Sequence, residues 1–285
     1  DLADRVSEKL DANVAPVLQL AAMVRNSGGT ERINQAQVLG VDERFFDMGD
    51  VDDPFAETEE KVVINEQAAE RLGVKAGDEI VLRIGKPGQM SRDAGLVPDT
   101  DLTVVYRGKV AKVLGDGEFG RFSLRSNQRA PFNVFVPLGW LGEQIDNAGL
   151  CNTLLVGGGE GMTVEKANET LKEIIRPEDV GLELSQVGDK GPVQVQSRRV
   201  FIDDFLAEML TSVDDGRGYL TYFVNAIRSG EKSTPYSMVT GSGLFDIADD
   251  EIVISEWLSE DIGAGAGDKV ELEYFVMGDM RKLVT

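Results

Sequence analysis

The sequence predicts an α+β fold in which two related β-rich lobes with short helices flank an intervening segment. The main observation is an internal repeat: residues 62–84 (VVINEQAAERLGVKAGDEIVLRI) align with residues 252–274 (IVISEWLSEDIGAGAGDKVELEY) at a fixed offset of 190. Nine of these 23 positions are identical, whereas chance would give about one or two. Short alternating apolar runs and short amphipathic helices complete the pattern. The repeat therefore indicates a duplicated strand–helix–turn–strand unit.

The first half of the chain alternates strand-like and helix-like segments. A helix is predicted at 2–11, and strands at 16–24 and 33–41 surround the turn-rich NSGGTE. In the first repeat unit, Asn65 is a good helix N-cap and Gly73 a good C-cap, and Gly77 and Asp78 form a turn into the strand 79–84. Further strands are predicted at 101–114, 133–138 and 152–158, with a helix near 139–145.

The second half begins with a helix at 163–175, capped by Thr163, with Val164, Ala167, Leu171 and Ile174 on its apolar side. Strands at 182–187 and 193–196, a helix at 201–213 that buries Met209, and strands at 219–228 and 236–240 follow. We therefore predict a first lobe at 1–160, an intervening α/β segment at 161–218 and a second lobe at 219–285. Both ends of the chain are expected to be cut from a longer protein.

Composition excludes several function classes. The net charge of −21 argues against nucleic acid as a partner, because a phosphate backbone would be repelled. The chain has no histidine, which removes histidine-based triads and His-ligated metal sites. Cys151, the single cysteine, cannot form an internal disulfide and is predicted to be a small core residue.

Two segments resemble ligand sites but fail the known patterns. The acidic loop at 49–60 could offer oxygen ligands to Ca²⁺, yet Phe55 stands where the EF-hand pattern needs glycine, so a solvated loop is expected. The carboxylates in this loop or just before it are Asp47, Asp50, Asp52, Asp53, Glu57, Glu59 and Glu60. The glycine-rich VGGGEG at 156–161 lacks a following Lys-Ser/Thr. No catalytic residue, metal or cofactor is predicted.

One locally basic, aromatic stretch is a candidate partner-binding patch. It contains Arg121, Arg125 and Arg129 together with Phe119 and Phe122. In an acidic protein these arginines could receive an acidic partner or a lipid headgroup. The alternative is a loop whose arginines pair with nearby carboxylates.

The order of segments carries a family resemblance. VLGVDERFF, VVINEQAAERLGVKAGDEIVLRI, YRGKVAKVL, NVFVPLGWLGEQI and NTLLV follow one another over residues 33–160. This ordered set resembles the extracytoplasmic domain of ABC-transporter permeases of the MacB/LolC/FtsX-like family, and residues 219–275 resemble it less clearly.

The resemblance implies a porter-like part and a second lobe, placed outside the cytoplasmic membrane between transmembrane helices of a permease. It further implies no enzymatic centre in this segment, an ATPase on a separate domain or subunit, and a dimeric full-length transporter. Partners of such domains are periplasmic proteins or lipoproteins. Two alternatives remain: a soluble acidic module that binds carbohydrate or protein, and a hydrolase that uses two carboxylates with perturbed pKa values.

Overall fold

Strands and short helices alternate along the chain in a computed structural model, which describes residues 1–87, 103–126, 130–158, 161–188, 191–197, 202, 204–212, 216–242, 247–274, 276–277 and 283–284. The chain divides into two compact units. The first unit comprises the described residues up to 196, and the second comprises those from 197 onward. The three-part division at 160 and 218 stays a prediction.

The first unit contains nine strands and five α-helices among its described residues. In chain order these are α1 (Leu2–Leu10), β1 (Val14–Asn26), β2 (Arg32–Val41), α2 (Glu43–Asp47), β3 (Val62–Asn65), α3 (Glu66–Leu72), β4 (Glu79–Gly85), β5 (Thr103–Leu114), β6 (Asn133–Pro137), α4 (Leu138–Gln144), β7 (Thr153–Val156), α5 (Val164–Ile174), β8 (Leu182–Gln186) and β9 (Val193–Ser197).

Strand β1 closes the main sheet into a ring. Its residues 18–25 pair antiparallel with β2, and its residues 22–26 pair antiparallel with β4. Because the sheet order is β2-β6-β3-β5-β4-β1, six strands form a closed ring, and β7 adds to the start of β1. The pairs β2–β6 and β3–β5 are parallel and the others in the ring are antiparallel. Closure leaves the ring without an unpaired strand edge.

Apolar side chains cover both faces of β3 and of the middle of β6. In β3, Val62 and Ile64 enter one core cluster, whereas Val63 enters another with Phe135 of β6. Successive strand residues point to opposite faces, so a continuous apolar run is required wherever both faces are buried. This explains why the segments VVI of β3 and VFV of β6 are apolar throughout.

Helix α3 is fixed at both ends by the predicted caps. Oδ1 of Asn65 accepts a hydrogen bond from the N–H of Ala68 at 3.0 Å, and Gly73 adopts a left-handed conformation with φ 65°. Helix α5 begins after Thr163 as predicted and packs Ala167 and Leu171 against α1. Val164, predicted on the apolar side, is instead exposed, because it lies in the first turn before the contact with α1 begins.

The second unit contains α6 (Asp204–Thr211), β10 (Tyr219–Ser229), β11 (Lys232–Ser242), α7 (Glu256–Ile262), β12 (Glu271–Glu273), β13 (Val276–Met277) and β14 (Leu283–Val284). The hairpin β10–β11 takes β12 onto β10, giving the order β11-β10-β12. Val224, Ile227, Ile262 and Ala264 form its core. Met209, predicted buried, is largely exposed on α6.

The two repeat segments share their helix and turn. At the offset of 190, Gly263 repeats the left-handed cap of Gly73 with φ 66°, and Gly267 repeats the φ of Gly77 (92° against 90°). The turn hydrogen bond from Lys75 N to Asp78 recurs from Gly265 N to Asp268. These matches are local.

The first strand of the repeat differs between the two segments. Residues 252–255 form no strand, and Val253 is 54% exposed where Val63 is fully buried. Strand β3 lies between β5 and β6, whereas no described strand of the second unit pairs with residues 252–255. Duplication of the whole lobe is therefore not confirmed.

Cys151 is exposed, so its predicted place in the core is wrong. It precedes β7 by two residues and follows the turn at Gly149, outside the strand alternation that would have buried it. Within the described ranges, none of the helices combines the length and the hydrophobicity needed to cross a bilayer.

Candidate functional site

The predicted arginine-rich patch lies on the connection from β5 to β6. We call residues 115–126 the arginine loop. It begins with a 3-10 turn at Asp116–Glu118 and carries Arg121 and Arg125. Arg129 lies outside the described residues. The loop belongs to the first unit and directly follows the last residue of β5.

The aromatic residues of the predicted patch face the core. The ring centroid of Phe119 lies 4.9 Å from that of Phe45, and the centroid of Phe122 lies 5.0 Å from it. Phe45 is fully buried and also contacts Phe135. Such ring pairs add to the energy of apolar burial. Phe119 and Phe122 therefore anchor the loop, and its solvent-exposed surface is formed by its other side chains.

Two buried asparagines hold the loop from beneath. The Nδ2 atom of Asn65 donates to the carbonyls of Gly120 and Pro131, both at 2.8 Å. The Nδ2 atom of Asn133 donates to the carbonyls of Gly120 at 3.1 Å and Phe122 at 2.9 Å. Both asparagines are fully buried. Buried amides with this many partners fix the backbone that they contact.

Close packing also limits the loop backbone. A Cβ atom at Gly120 would lie 2.5 Å from the carbonyl oxygen of Gly115 and 2.7 Å from that of Leu114. Phe119 adopts a left-handed conformation with φ 64°, which is uncommon for a bulky residue. A bulky residue keeps this unfavourable backbone conformation only where the surrounding contacts hold it in place. Here the aromatic cluster and the Gly115–Gly120 turn provide those surroundings.

A second set of interactions fixes the start of the loop. Glu118 accepts hydrogen bonds from Nζ of Lys112 at 2.7 Å and from the N–H of Gly115 at 3.1 Å. The hydrogen bond from Lys112, with that from Gly115, holds the pKa of Glu118 below its ordinary value. Both interactions favour the charged carboxylate. The 3-10 turn is therefore most stable when Glu118 is ionised.

The exposed face of the loop carries both charge signs and one apolar side chain. Nη1 of Arg121 lies 3.3 Å from Oδ2 of Asp116, and both side chains are more than half exposed. Arg125 has no ion-pair partner among the described residues, and Leu124 is 54% exposed between the two arginines. Arg121 and Arg125 are thus both exposed on this loop, together with Asp116.

The acidic loop at 49–60 packs beside the arginine loop. A Cβ atom at Gly49 would lie 2.5 Å from the ring of Phe119, and Phe55 contacts Phe46 with centroids 6.4 Å apart. Oδ1 of Asp53 accepts a hydrogen bond from the N–H of Phe55, so this carboxylate is already engaged within its own loop. Across the parts of the chain that the structure describes, no three His, Cys, Asp or Glu side chains are grouped to hold a metal ion.

The glycine-rich segment follows β7 and makes a backbone contact with the residue before β1. The N–H of Gly157 donates to the carbonyl of Asn13 at 2.8 Å, and a Cβ atom there would lie 3.2 Å from the same oxygen. This contact ties the end of β7 to the start of β1. Residues 159 and 160 lie outside the described residues.

A cavity of about 590 Å³ lies near the ends of α1 and α5. Its lining combines basic, acidic and apolar side chains. They are Arg5, Lys9, Arg176, Glu8, Glu173, Ile174 and Ile175. Lys9 and Glu173 are 3.5 Å apart across it. Of the residues singled out in the sequence, Ile174 of α5 lines this cavity, and no residue of the arginine patch or of the acidic loop does.

An exposed aromatic face on the hairpin β10–β11 escaped the sequence reasoning. Phe223 and Tyr236 stack with centroids 5.8 Å apart, and Tyr236 is 75% exposed with φ 56°. Tyr219 and Met238 are exposed as well. Period-2 alternation shows which residues share a face but not which face is covered, so this pattern predicted a strand and nothing more.

Comparison with known proteins identifies the family of the first unit. The family model of the MacB-like periplasmic core domain matches residues 1–174, which is more than half of the 285 residues. One similar solved structure is the periplasmic region of MacB from Actinobacillus actinomycetemcomitans. It is 13% identical with a TM-score of 0.39, and the match covers 74% of this chain and 82% of that chain. The search of curated proteins found no match.

The structural similarity is distant, and the assignment depends on the match over residues 1–174. That range runs from α1 to the end of α5 and includes the six-stranded ring and the arginine loop. The chain therefore belongs to the MacB-like periplasmic core domain family, the extracytoplasmic domains of ABC-transporter permeases.

Proposed function

We propose that this domain couples conformational change in the membrane part of an ABC-transporter permease to a partner protein or lipophilic cargo outside the membrane. The domain itself is non-catalytic in this proposal, and ATP hydrolysis belongs to a separate domain or subunit. The observation that carries the proposal is the arginine loop, whose backbone is anchored by buried asparagines while Arg121, Leu124 and Arg125 remain exposed.

The closed ring suits this task mechanically. Each of the six strands is hydrogen-bonded on both sides, so displacement of one strand shifts its neighbours. Asn65 and Asn133 connect the arginine loop to β3 and β6 through fully buried hydrogen bonds. Packed cores deform little and move as units. A partner that binds the arginine loop would therefore act on the ring as a whole.

The proposed partners follow from the family. The transmembrane helices of the permease and a separate ATPase supply the motion, and the complete transporter is proposed to be a dimer. Outside the membrane, a periplasmic protein or lipoprotein is the proposed contact of the arginine loop. Charge supports a protein contact there, since the loop presents cations on a chain of net charge −21.

The direct test replaces the domain in the complete permease. Residues 1–285 are exchanged for a flexible Gly-Ser linker, and the transporter with its ATPase is reconstituted in proteoliposomes. We expect ATP hydrolysis to persist while transport of cargo is lost, because the linker cannot pass conformational change to a partner. Undiminished transport without the domain would overturn the proposal, and so would loss of ATP hydrolysis in a variant that assembles normally.

A further inference from the structure

The arginine loop has cationic groups that its own chain leaves largely unused. Arg125 has no ion-pair partner among the described residues, and Arg121 has one exposed contact with Asp116 at 3.3 Å. Exposed pairs of this kind contribute little to stability, so a carboxylate from another molecule can replace Asp116 at small cost. The planar guanidinium group binds a carboxylate through two parallel hydrogen bonds.

The loop backbone is arranged before any partner arrives. Oγ of Ser123 accepts from the N–H of Arg125 at 3.1 Å and donates to its carbonyl at 2.9 Å, which fixes the turn that presents Leu124. Phe119 and Phe122 are held in the aromatic cluster below. A preformed site loses less conformational entropy on binding than a loose one.

The surroundings restrict the shape of an anionic partner. Asp116 and Glu118 belong to the same loop, and the acidic loop at 49–60 packs beside it through Gly49. A flat anionic membrane surface would meet these carboxylates together with the arginines. A single extended chain meets fewer of these carboxylates than a flat surface does, so charge favours a narrow acidic segment over an anionic membrane.

We infer that the arginine loop binds an extended acidic segment of a protein, in which carboxylates engage Arg121 and Arg125 and an aliphatic side chain covers Leu124. The inference rests on the proposed function, because it specifies the chemistry of the outside partner. Binding uses side chains carried by an already ordered backbone, so it requires no rearrangement of the loop.

The test measures binding of a defined probe to the 285-residue chain. The probe is a short, end-capped peptide of alternating Glu and Leu, titrated at low ionic strength by calorimetry. We expect saturable binding that weakens at least about tenfold in Arg121→Gln/Arg125→Gln and severalfold in Leu124→Ser, and that weakens with added salt. A peptide of alternating Gln and Leu should not bind.

Arg107→Gln is the matched control variant. Arg107 lies on β5, is exposed to nearly the same extent as Arg121, and pairs with Glu79 at 3.2 Å. This variant should keep the affinity of the unsubstituted chain, since the positive charge that it removes lies outside the arginine loop. Equal weakening by Arg107→Gln would show general charge attraction and overturn the site.

Two further outcomes would overturn the inference. One is no peptide binding up to about 1 mM. The other is binding to phosphatidylglycerol vesicles, lost in Arg121→Gln/Arg125→Gln, without binding to the peptide, which would assign the loop to a membrane surface. Either result refutes the acidic-segment inference alone. The coupling function is tested separately, by whether replacement of the domain abolishes transport, so failure of the inference and failure of the proposed function are distinguishable.

Discussion

The main-chain N–H of Asn133 donates a hydrogen bond to Oδ1 of Asn65 at 3.1 Å, and both residues are fully buried. Asn65 caps α3, and Asn133 is the first residue of β6. The side-chain amides of both residues also donate to the carbonyl of Gly120. One point in the core therefore joins a helix start, a ring strand and the arginine loop.

Asn65→Ala should destabilise the first unit by about 2–4 kcal/mol, because it removes a helix cap, leaves the buried N–H of Asn133 without its partner and removes one of the two donors to the carbonyl of Gly120. The measurement is urea unfolding followed by the fluorescence of Trp140 in a Trp257→Phe background. Ser255→Ala is the matched control, since Ser255 caps α7 from an exposed position. It should cost about 1 kcal/mol in the second unit, followed by Trp257. Equal losses for the two variants would contradict the role of the buried junction.

Gly120→Ala should destabilise the first unit by about 1–3 kcal/mol, because the new Cβ atom would meet backbone oxygens at 2.5 and 2.7 Å that cannot move aside. It should also weaken binding of the Glu–Leu peptide. Gly117→Ala, in the same loop, is the control, since a Cβ atom there meets nothing within 4 Å. Unfolding and peptide titration of both variants check this. A stable Gly120→Ala with full affinity is the contrary result.

Gly73→Ala and Gly263→Ala should each cost about 1–2 kcal/mol, because both glycines end a helix in the left-handed conformation. The first loss should appear in the Trp140 signal and the second in the Trp257 signal. At Gly263 the added Cβ also approaches Nζ of Lys232 at 3.0 Å, a flexible atom that can withdraw. A neutral effect at either position would show that the two turns are not equivalent.

The contribution of Glu118 to stability should disappear in acid. Hydrogen bonds from Lys112 and Gly115 lower the pKa of Glu118 in the folded state from its ordinary 4.5. Ionisation of Glu118 therefore stabilises the fold above pH 4.5, and this contribution is lost as the pH falls through the lowered pKa. Because the pair with Lys112 is partly exposed, Glu118→Gln should cost less than about 1 kcal/mol near pH 7.

The check is urea unfolding of the unsubstituted chain and Glu118→Gln near pH 7 and near pH 3, with the difference between them compared. The difference should be smaller in acid. A difference that stays constant or grows as the pH falls would show that the hydrogen bonds to Glu118 do not favour its charged form.

Sequence periodicity and cap residues predicted most of the local structure. Asn65, Gly73 and Thr163 cap helices as predicted, and the strands at 16–24 and 33–41 lie within β1 and β2. These features depend on a few neighbouring residues, which is why a sequence can specify them. Closure of the ring depends on β1 pairing with both β2 and β4, a long-range relation without a local signal.

The candidate site was only partly visible in the sequence. Phe119 and Phe122 stand beside the arginines in the chain, which suggested a shared surface, but both rings turn towards Phe45. Val253 repeats Val63 in sequence and is nevertheless exposed, because burial of Val63 depends on the neighbouring strands β5 and β6. The two repeat segments therefore share the conformation of their turns but differ in the strands that surround them.

Transport by the complete permease carrying Arg121→Gln/Arg125→Gln tests the account most directly. The transporter and its ATPase are reconstituted with the outside partner, and cargo movement is compared with that of Arg107→Gln. We predict that the double variant loses transport by about tenfold or more through weakened partner binding, while Arg107→Gln retains it. Equal transport by the two variants would contradict the claim that the arginine loop links this domain to its partner.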